Sequence, residues 1–296
     1  MTQEASPTLG TATASVFIGI VTRDRASIVP KAILSAISQR NCEMRVGVID
    51  DGSTDATLEL SRKFPGVKWE RWSTSRGYLA ARNHWIKSAG EKYFAGLDDD
   101  AWFWEGDEIA TALSVLERDP KVASVAFDIL SADRPHPVPR SGAEQAAMFI
   151  GCGHVLRLSA AREVGFYEPS PGSYGGEEKD LCIRLLDAGY KIMKLPGVHV
   201  WHDKTAVARH VSEQHRSGVC NDLVMAFRRT PGFMLPLAII AKLYRHVIFS
   251  LRHGLIRPCL EGFLLFARSI PNVLKTRRPV KMSTLRSYVR LTRLEQ

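Results

Sequence analysis

Three consecutive carboxylates, Asp98, Asp99 and Asp100, follow the apolar-leaning run Tyr93-Phe94-Ala95-Gly96-Leu97. Adjacent anions repel one another, so a fold that buries them needs a cation beside them. A hard divalent ion held by oxygen ligands, Mg²⁺ or Mn²⁺, would resolve the repulsion and would also mount a diphosphate. A solvated acidic turn is the plainer alternative for an Asp triplet taken alone. The choice between them depends on what surrounds the triplet.

The run before the triplet has the length and composition of a short buried strand, with the acids at its C-terminal end. Val16 to Val21 is a continuous apolar run of the kind a buried parallel strand shows, and it ends at Thr22-Arg23-Asp24-Arg25. The spacing of Ile33, Leu34 and Ile37 predicts a helix over 28–39, with Pro30 tolerable in its first turn. A second strand over 45–49 closes on Asp50-Asp51-Gly52-Ser53-Thr54-Asp55, and a helix over 56–64 follows. Strand, helix, strand, helix is the pattern of a parallel, right-handed α/β sheet. Ligands gather at the C-terminal strand ends of such sheets. Thr22, Asp50-Asp51 and Asp98 to Asp100 occupy three of those ends.

Further strands are predicted over 68–72, 122–127, 147–156, 190–195 and 198–201, and helices over 77–89, 159–164 and 180–188. Gly151 and Gly153 inside the 147–156 run mark a place where another group approaches the backbone closely. Residues 131–143 read as a surface loop. Residues 172–176 are flexible and precede Glu177-Glu178-Lys179-Asp180.

The 296 residues are 45% hydrophobic and 24% charged, which describes a globular chain. Five cysteines without a CxxC pair argue against a zinc ribbon or a disulfide framework and suit a reducing compartment. No signal-peptide pattern opens the chain, so residues 1–14 are expected to be a leader and the protein to be cytoplasmic. Residues 228–296 carry 14 Lys and Arg against 2 Asp and Glu, a net charge of +12. The first 227 residues carry 26 against 29, a net charge of −3. The expected organisation is a catalytic domain over 15–220 and a helical, basic extension over 221–296. The apolar runs of that extension, cut by Lys242 and Arg252, fall short of the roughly 20 residues of a spanning helix. Their alternation with Lys and Arg predicts amphipathic helices on an anionic membrane surface, at the inner face of the cell membrane. A helical cap packed on the catalytic domain is the alternative. The tail lacks clustered base-stacking aromatics, so no nucleic-acid partner is expected.

Taken together, residues 15–205 resemble the inverting, GT-A-fold glycosyltransferases of family 2, including rhamnosyltransferase-like bacterial members. The match runs through Thr22-Arg23-Asp24-Arg25, Asp50 to Asp55, Gly77 with Ala81-Arg82-Asn83, and Leu97-Asp98-Asp99-Asp100. It continues through Gly176 to Leu185, Ala188-Gly189-Tyr190 and Val200-Trp201-His202. The chain has Glu177-Glu178 where the family usually has Glu-Asp, and Ser75 where it often has Asn. The resemblance implies a Rossmann-like, mostly parallel sheet flanked by helices. It implies a UDP-, dTDP- or GDP-sugar donor bound by Thr22, Arg25, Asp51, Ser53, Arg82, Asp98 and Asp99. Asp51 would accept from the base and Asp98 would lie toward the ribose. Asp100, Asp98 and His202 would hold Mg²⁺ or Mn²⁺. Glu178, with Glu177 second, would be the general base for a glycan or lipid-linked acceptor hydroxyl, and Asp180 would orient the loop or a sugar hydroxyl. A nucleotidyltransferase also uses paired Asp and Mg²⁺, but it usually carries a Gly-rich phosphate loop after its first strand. Thr22-Arg23-Asp24-Arg25 has no glycine.

Overall fold

A computed structural model of the protein describes residues 15–204 and 210–294. The expected leader, 1–14, lies outside the described residues. The chain begins β1 (Ser15–Thr22), α1 (Val29–Ile37), β2 (Glu43–Asp50), a 3-10 turn (Ala56–Glu59) and α2 (Leu60–Lys63). It continues β3 (Lys68–Arg71), α3 (Tyr78–Ser88), β4 (Tyr93–Asp98), β5 (Ala101–Phe103), α4 (Glu108–Arg118) and β6 (Val122–Leu130). Next come β7 (Glu144–Ala146), β8 (His154–Arg157), α5 (Leu158–Val164), α6 (Glu177–Asp187) and β9 (Lys191–His202). Four helices follow: α7 (Val211–Arg229), α8 (Leu235–His253), α9 (Ile256–Lys275) and α10 (Met282–Leu294).

The strands form one nine-stranded sheet in the order β3-β2-β1-β4-β8-β6-β9-β5, with β7 paired to β9. β1 to β4, β6 and β9 run in one direction, and β5, β7 and β8 run against their neighbours. Thr22 is level with Asp50, and Val21 with Asp98, so the three predicted strand ends share one rim.

Successive side chains of β1 point to opposite faces, and both faces are buried. Val16, Ile18 and Ile20 pack with α1 and α4 residues such as Ile33 and Ile109. Phe17 joins the opposite layer with Trp85 of α3, Phe94 of β4 and Leu181 of α6. Trp85 is fully buried, so its truncation to Ala would cost about 3–5 kcal/mol.

Several sequence expectations are corrected. The strand expected over 147–156 begins only at His154. Ala147 and Phe149 are buried, Phe149 stacking on His154 at 4.0 Å, so the apolar run reflects core packing. The two strands expected over 190–201 are one, irregular opposite Phe127 and Asp128, where Gly197 N–H donates to Asp128 Oδ2 at 2.8 Å. The helix expected from Asp180 starts at Glu177.

The expected boundary at residue 220 falls inside α7. Val219, Cys220, Leu223 and Val224 of α7 pack with Cys259, Phe266 and Val273 of α9, which gives the C-terminal helices a core of their own. The chain does not break at Lys242. Lys242 and His246 face Asp222 of α7, at 2.6 and 3.1 Å, and α8 runs on to Gly254 in the left-handed region. Residues 232–253 therefore form a helical stretch whose most apolar 18 residues have a mean hydropathy of 1.4, long and apolar enough by length and composition to cross a membrane, contrary to the expectation from the interrupted runs.

Candidate active site

β4 ends on Asp98, and the turn into β5 carries Asp99 and Asp100. Asp99 and Asp100 are 5% and 2% exposed, so the triplet is not a solvated turn. Basic side chains meet it from three elements. Arg25, from the loop after β1, pairs with Asp99 and lies 3.7 Å from Asp100 Oδ2. Arg82 of α3 pairs with Asp98. His202 Nε2, at the end of β9, lies 3.2 Å from Asp100 Oδ1. Burial pushes the Asp99 carboxyl up to about 6, against the lowering charge of Arg25. Burial disfavours the anion and the nearby cation restores part of it.

At the neighbouring rim, Thr22 is buried and its carbonyl accepts from Asp51 N–H at 2.9 Å. The Asp51 carboxylate accepts from Ser75 Oγ at 2.7 Å and from the N–H groups of Arg76 and Gly77 at 2.7 and 3.0 Å. A carboxylate offers about four acceptor sites, so one remains for an incoming donor. Ser53 braces the same loops: its Oγ accepts from Asp24 N–H at 2.9 Å and its N–H donates to Asp50 Oδ1 at 2.8 Å.

The second group of carboxylates enters through α6. Gly176, at φ 93°, turns the chain into the helix. The loop before it is held by Asn221 of α7, whose Oδ1 accepts from Gly172 N–H at 2.8 Å. Its Nδ2 donates to the carbonyls of Gly172, Tyr174 and Gly175 at 3.0, 3.1 and 2.8 Å. Tyr78 donates its hydroxyl to Glu177 Oε1 at 2.8 Å. Arg82 Nη1 lies 3.4 Å from Glu178 Oε1 and 3.7 Å from Glu177 Oε1, so this guanidinium joins Asp98 to both glutamates. Burial, and then the Glu177 charge, push the Glu178 carboxyl up to about 8, with Arg82 opposing. A carboxylate with raised proton affinity is suited to take a proton from a hydroxyl. Gly151 is the close approach foreshadowed by the sequence. A Cβ there would lie 2.5 Å from Glu178 Oε1 and 2.6 Å from Arg82 Nη1.

Asp180 is not brought to this site. It pairs with Arg184 at 2.8 Å and with Arg229 of α7 at 2.6 Å. Burial alone would raise its carboxyl, but the hydrogen bond from Arg229 and the charges of both arginines hold it below the usual range. The Arg229 pair ties α7 to α6. Arg82 likewise engages Asp98 and the glutamates, while Glu91 pairs with Arg45.

One cluster fits a divalent cation by its donor chemistry. A carboxylate oxygen of Asp98, the Cys152 sulfur and an imidazole nitrogen of His202 all lie within 4.8 Å of one another, and His202 also adjoins Asp100. Sequence reasoning missed Cys152, because it stands in an apolar run. It also missed Tyr78 and Asn221, which no motif marks.

Residues 17–165 match the sequence model of the family described as glycosyl transferase family 2. The pre-mycofactocin glycosyltransferase of Mycobacterium tuberculosis (strain H37Rv) is 31% identical over 184 residues, 54% of this chain and 37% of that protein. The succinoglycan biosynthesis protein ExoU of Rhizobium meliloti (strain 1021) is 30% identical over 207 residues, 60% of this chain and 59% of that one. The chain thus spans less than two thirds of either relative. S. aureus TarS in complex with UDP-GlcNAc superposes with a TM-score of 0.64 at 15% identity, covering 89% of this chain and 82% of that one. The mannosyltransferase PcManGT from Pyrobaculum calidifontis, in complex with GDP-Man and Mn²⁺, gives 0.59 at 16%, covering 88% and 76%. These structures share the fold.

Proposed function

The chain belongs to glycosyl transferase family 2 and is a glycosyltransferase of GT-A fold, and on that premise we propose that it transfers a sugar, with inversion and metal dependence, from a nucleotide-sugar to a hydroxyl of a glycan or lipid-linked acceptor. Cell-envelope polysaccharide synthesis is the proposed setting, in keeping with the relative that acts in succinoglycan biosynthesis. The observation that carries the reading is the Arg82 bridge, which joins the Asp98 end of the triplet to Glu177 and Glu178.

In this reading Asp51, with one acceptor site left, receives an N–H of the nucleotide base. Asp98 lies toward the ribose, while Arg25 and Asp99 shape the diphosphate rim. Asp98, Asp100 and His202 are the residues that would hold Mg²⁺ or Mn²⁺. When bound, such a cation neutralises the charge that develops on the leaving nucleoside diphosphate. Glu178 takes the proton of the acceptor hydroxyl as that oxygen attacks the anomeric carbon. Tyr78 and Arg82 hold the glutamate pair in place. Inverting transfer is a single in-line displacement, which needs one base and no covalent nucleophile. The donor classes supported by the neighbours are a UDP-sugar and a GDP-sugar, with a dTDP-sugar the further candidate.

The protein is proposed to lie peripherally on the inner face of the membrane. Phe233, Leu237, Ile240, Tyr244 and Leu251 are all exposed and recur at helical spacing along residues 232–253. Such a stripe suits burial in a membrane interface.

The stereochemical part is tested by following slow donor hydrolysis by NMR. The sugar released from an α-linked donor appears first as the β-anomer. First appearance of the α-anomer would refute inversion.

A further inference from the structure

We infer that Cys152 is a direct sulfur ligand of the divalent cation, beside Asp98 and His202, and that this chain therefore takes Mn²⁺ or a softer ion in preference to Mg²⁺. The inference rests on the metal-dependent reading above and deepens it.

Three separate elements deliver the donors: the last residue of β4, the turn before β8 and the last residue of β9. Two donors each about 2.0–2.3 Å from one ion stand at most about 4.6 Å apart. Three donors spread evenly around one such ion stand roughly 3.5–4.0 Å apart, and the three donor atoms here lie within 4.8 Å of one another, so closing on an ion draws each inward by at most about 0.5–0.8 Å.

The turn that carries Cys152 is fixed on both sides. Gly153 N–H donates to Ile150 O, and Phe127 N–H donates to Gly153 O, both at 3.0 Å. Gly151 is pressed against Arg82 and Glu178, and its carbonyl would lie 2.8 Å from a Cβ at Gly96. The thiol, 1% exposed, is thus held between the base and the acidic strand end.

Ligand softness sets the consequence. Carboxylates alone accept Mg²⁺ readily, whereas a thiolate selects softer ions. As the sulfur–metal bond forms, the sulfur–hydrogen bond breaks and the proton passes to solvent, with no change of oxidation state. The competing account is that Cys152 is a small buried hydrophobe that fills space.

Co²⁺ is the probe that separates the two, added to the full chain with and without UDP and followed by absorption. The expected spectrum contains a sulfur-to-cobalt charge-transfer band in the near ultraviolet beside the visible d–d bands. That band is lost in Cys152→Ser and Cys152→Ala. It persists in Cys42→Ser, which removes the one thiol that is not buried among the described residues. In competition, the preference for Mn²⁺ over Mg²⁺ falls about 10-fold or more in Cys152→Ser, at least the loss that attends removal of a ligand's supporting partner. Visible bands without the charge-transfer band, or a band that survives in both folded Cys152 variants, overturn the inference and leave the metal site standing. Absence of any cobalt spectrum overturns the inference together with the metal reading. Should neither Cys152 variant fold, the spectrum of Cys42→Ser decides by the presence or absence of the band.

Discussion

At the scale of single residues, two carboxyls of α6 sit in opposite environments. Glu178 is pushed up to about 8 by burial and by Glu177, so it gains its basic form as pH rises. Turnover should climb through roughly pH 7–8 instead of levelling near 5, where an ordinary Glu has finished titrating. A pH–rate profile flat from about pH 5 upward would contradict this. Glu178→Gln keeps the shape but accepts no proton, so turnover should fall by about 10²–10⁴ while nucleotide binding stays within a few-fold. If Glu177→Gln shows that loss and Glu178→Gln does not, the base is the neighbour. Asp180 sits at the other extreme. Its folded pKa is depressed, so its contribution to stability is full above the unfolded value and is lost as pH falls through the folded one. Asp180→Asn leaves Arg229 with Glu168 as its carboxylate partner, so the loss of the second charged pair should cost about 1.5–3 kcal/mol in a denaturant titration while the folded fraction still turns over. Lost turnover at unchanged stability would restore a catalytic role. The sequence set Asp180 among the catalytic acids because its partner Arg229 stands 49 residues away. Cys152 was illegible for a different reason: an isolated thiol in an apolar run looks like core until the fold brings His202 and Asp98 beside it.

At the scale of elements, the loop that leads into α6 is held by a helix that no motif announces. Asn221 of α7 makes four hydrogen bonds to residues 172–175. Asn221→Ala should cost about 1–3 kcal/mol by leaving buried backbone groups unpaired. It should also lower turnover by loosening the approach to Glu177 and Glu178. Unchanged thermal unfolding and unchanged turnover would show that the loop holds itself. β1, β2 and β4 were readable because strands buried on both faces are continuous apolar runs. β5 has three residues, too few for a period to show. α7 was unreadable because much of what it buries is polar, including Ser217, Asn221, Arg228 and Arg229. β9 reads in the sequence as two strands because Pro196-Gly197 looks like a break, whereas the ladder resumes across it.

At the scale of the whole molecule, the basic tail is less free than its composition suggests. Arg228 and Arg229 pair with Glu168, Arg229 also with Asp180, and Lys242 with Asp222. The remaining cations can each contribute about 1 kcal/mol near an anionic leaflet, and the exposed stripe from Phe233 to Leu251 adds apolar burial. The full chain should sediment with anionic vesicles, be partly released by high salt, and need detergent for full release. Leu237→Glu combined with Ile240→Glu should weaken sedimentation. A full chain that stays in the supernatant at low salt would refute membrane placement and weaken the case for a lipid-linked acceptor. The reading of Asp98 to Asp100 as a cation-dependent nucleotide-sugar site is tested most directly by screening nucleotide-sugars for slow hydrolysis with Mn²⁺ present. The expected result is that one donor class releases nucleoside diphosphate and that release stops both in excess EDTA and in Asp100→Ala. Undiminished release in excess EDTA would contradict it.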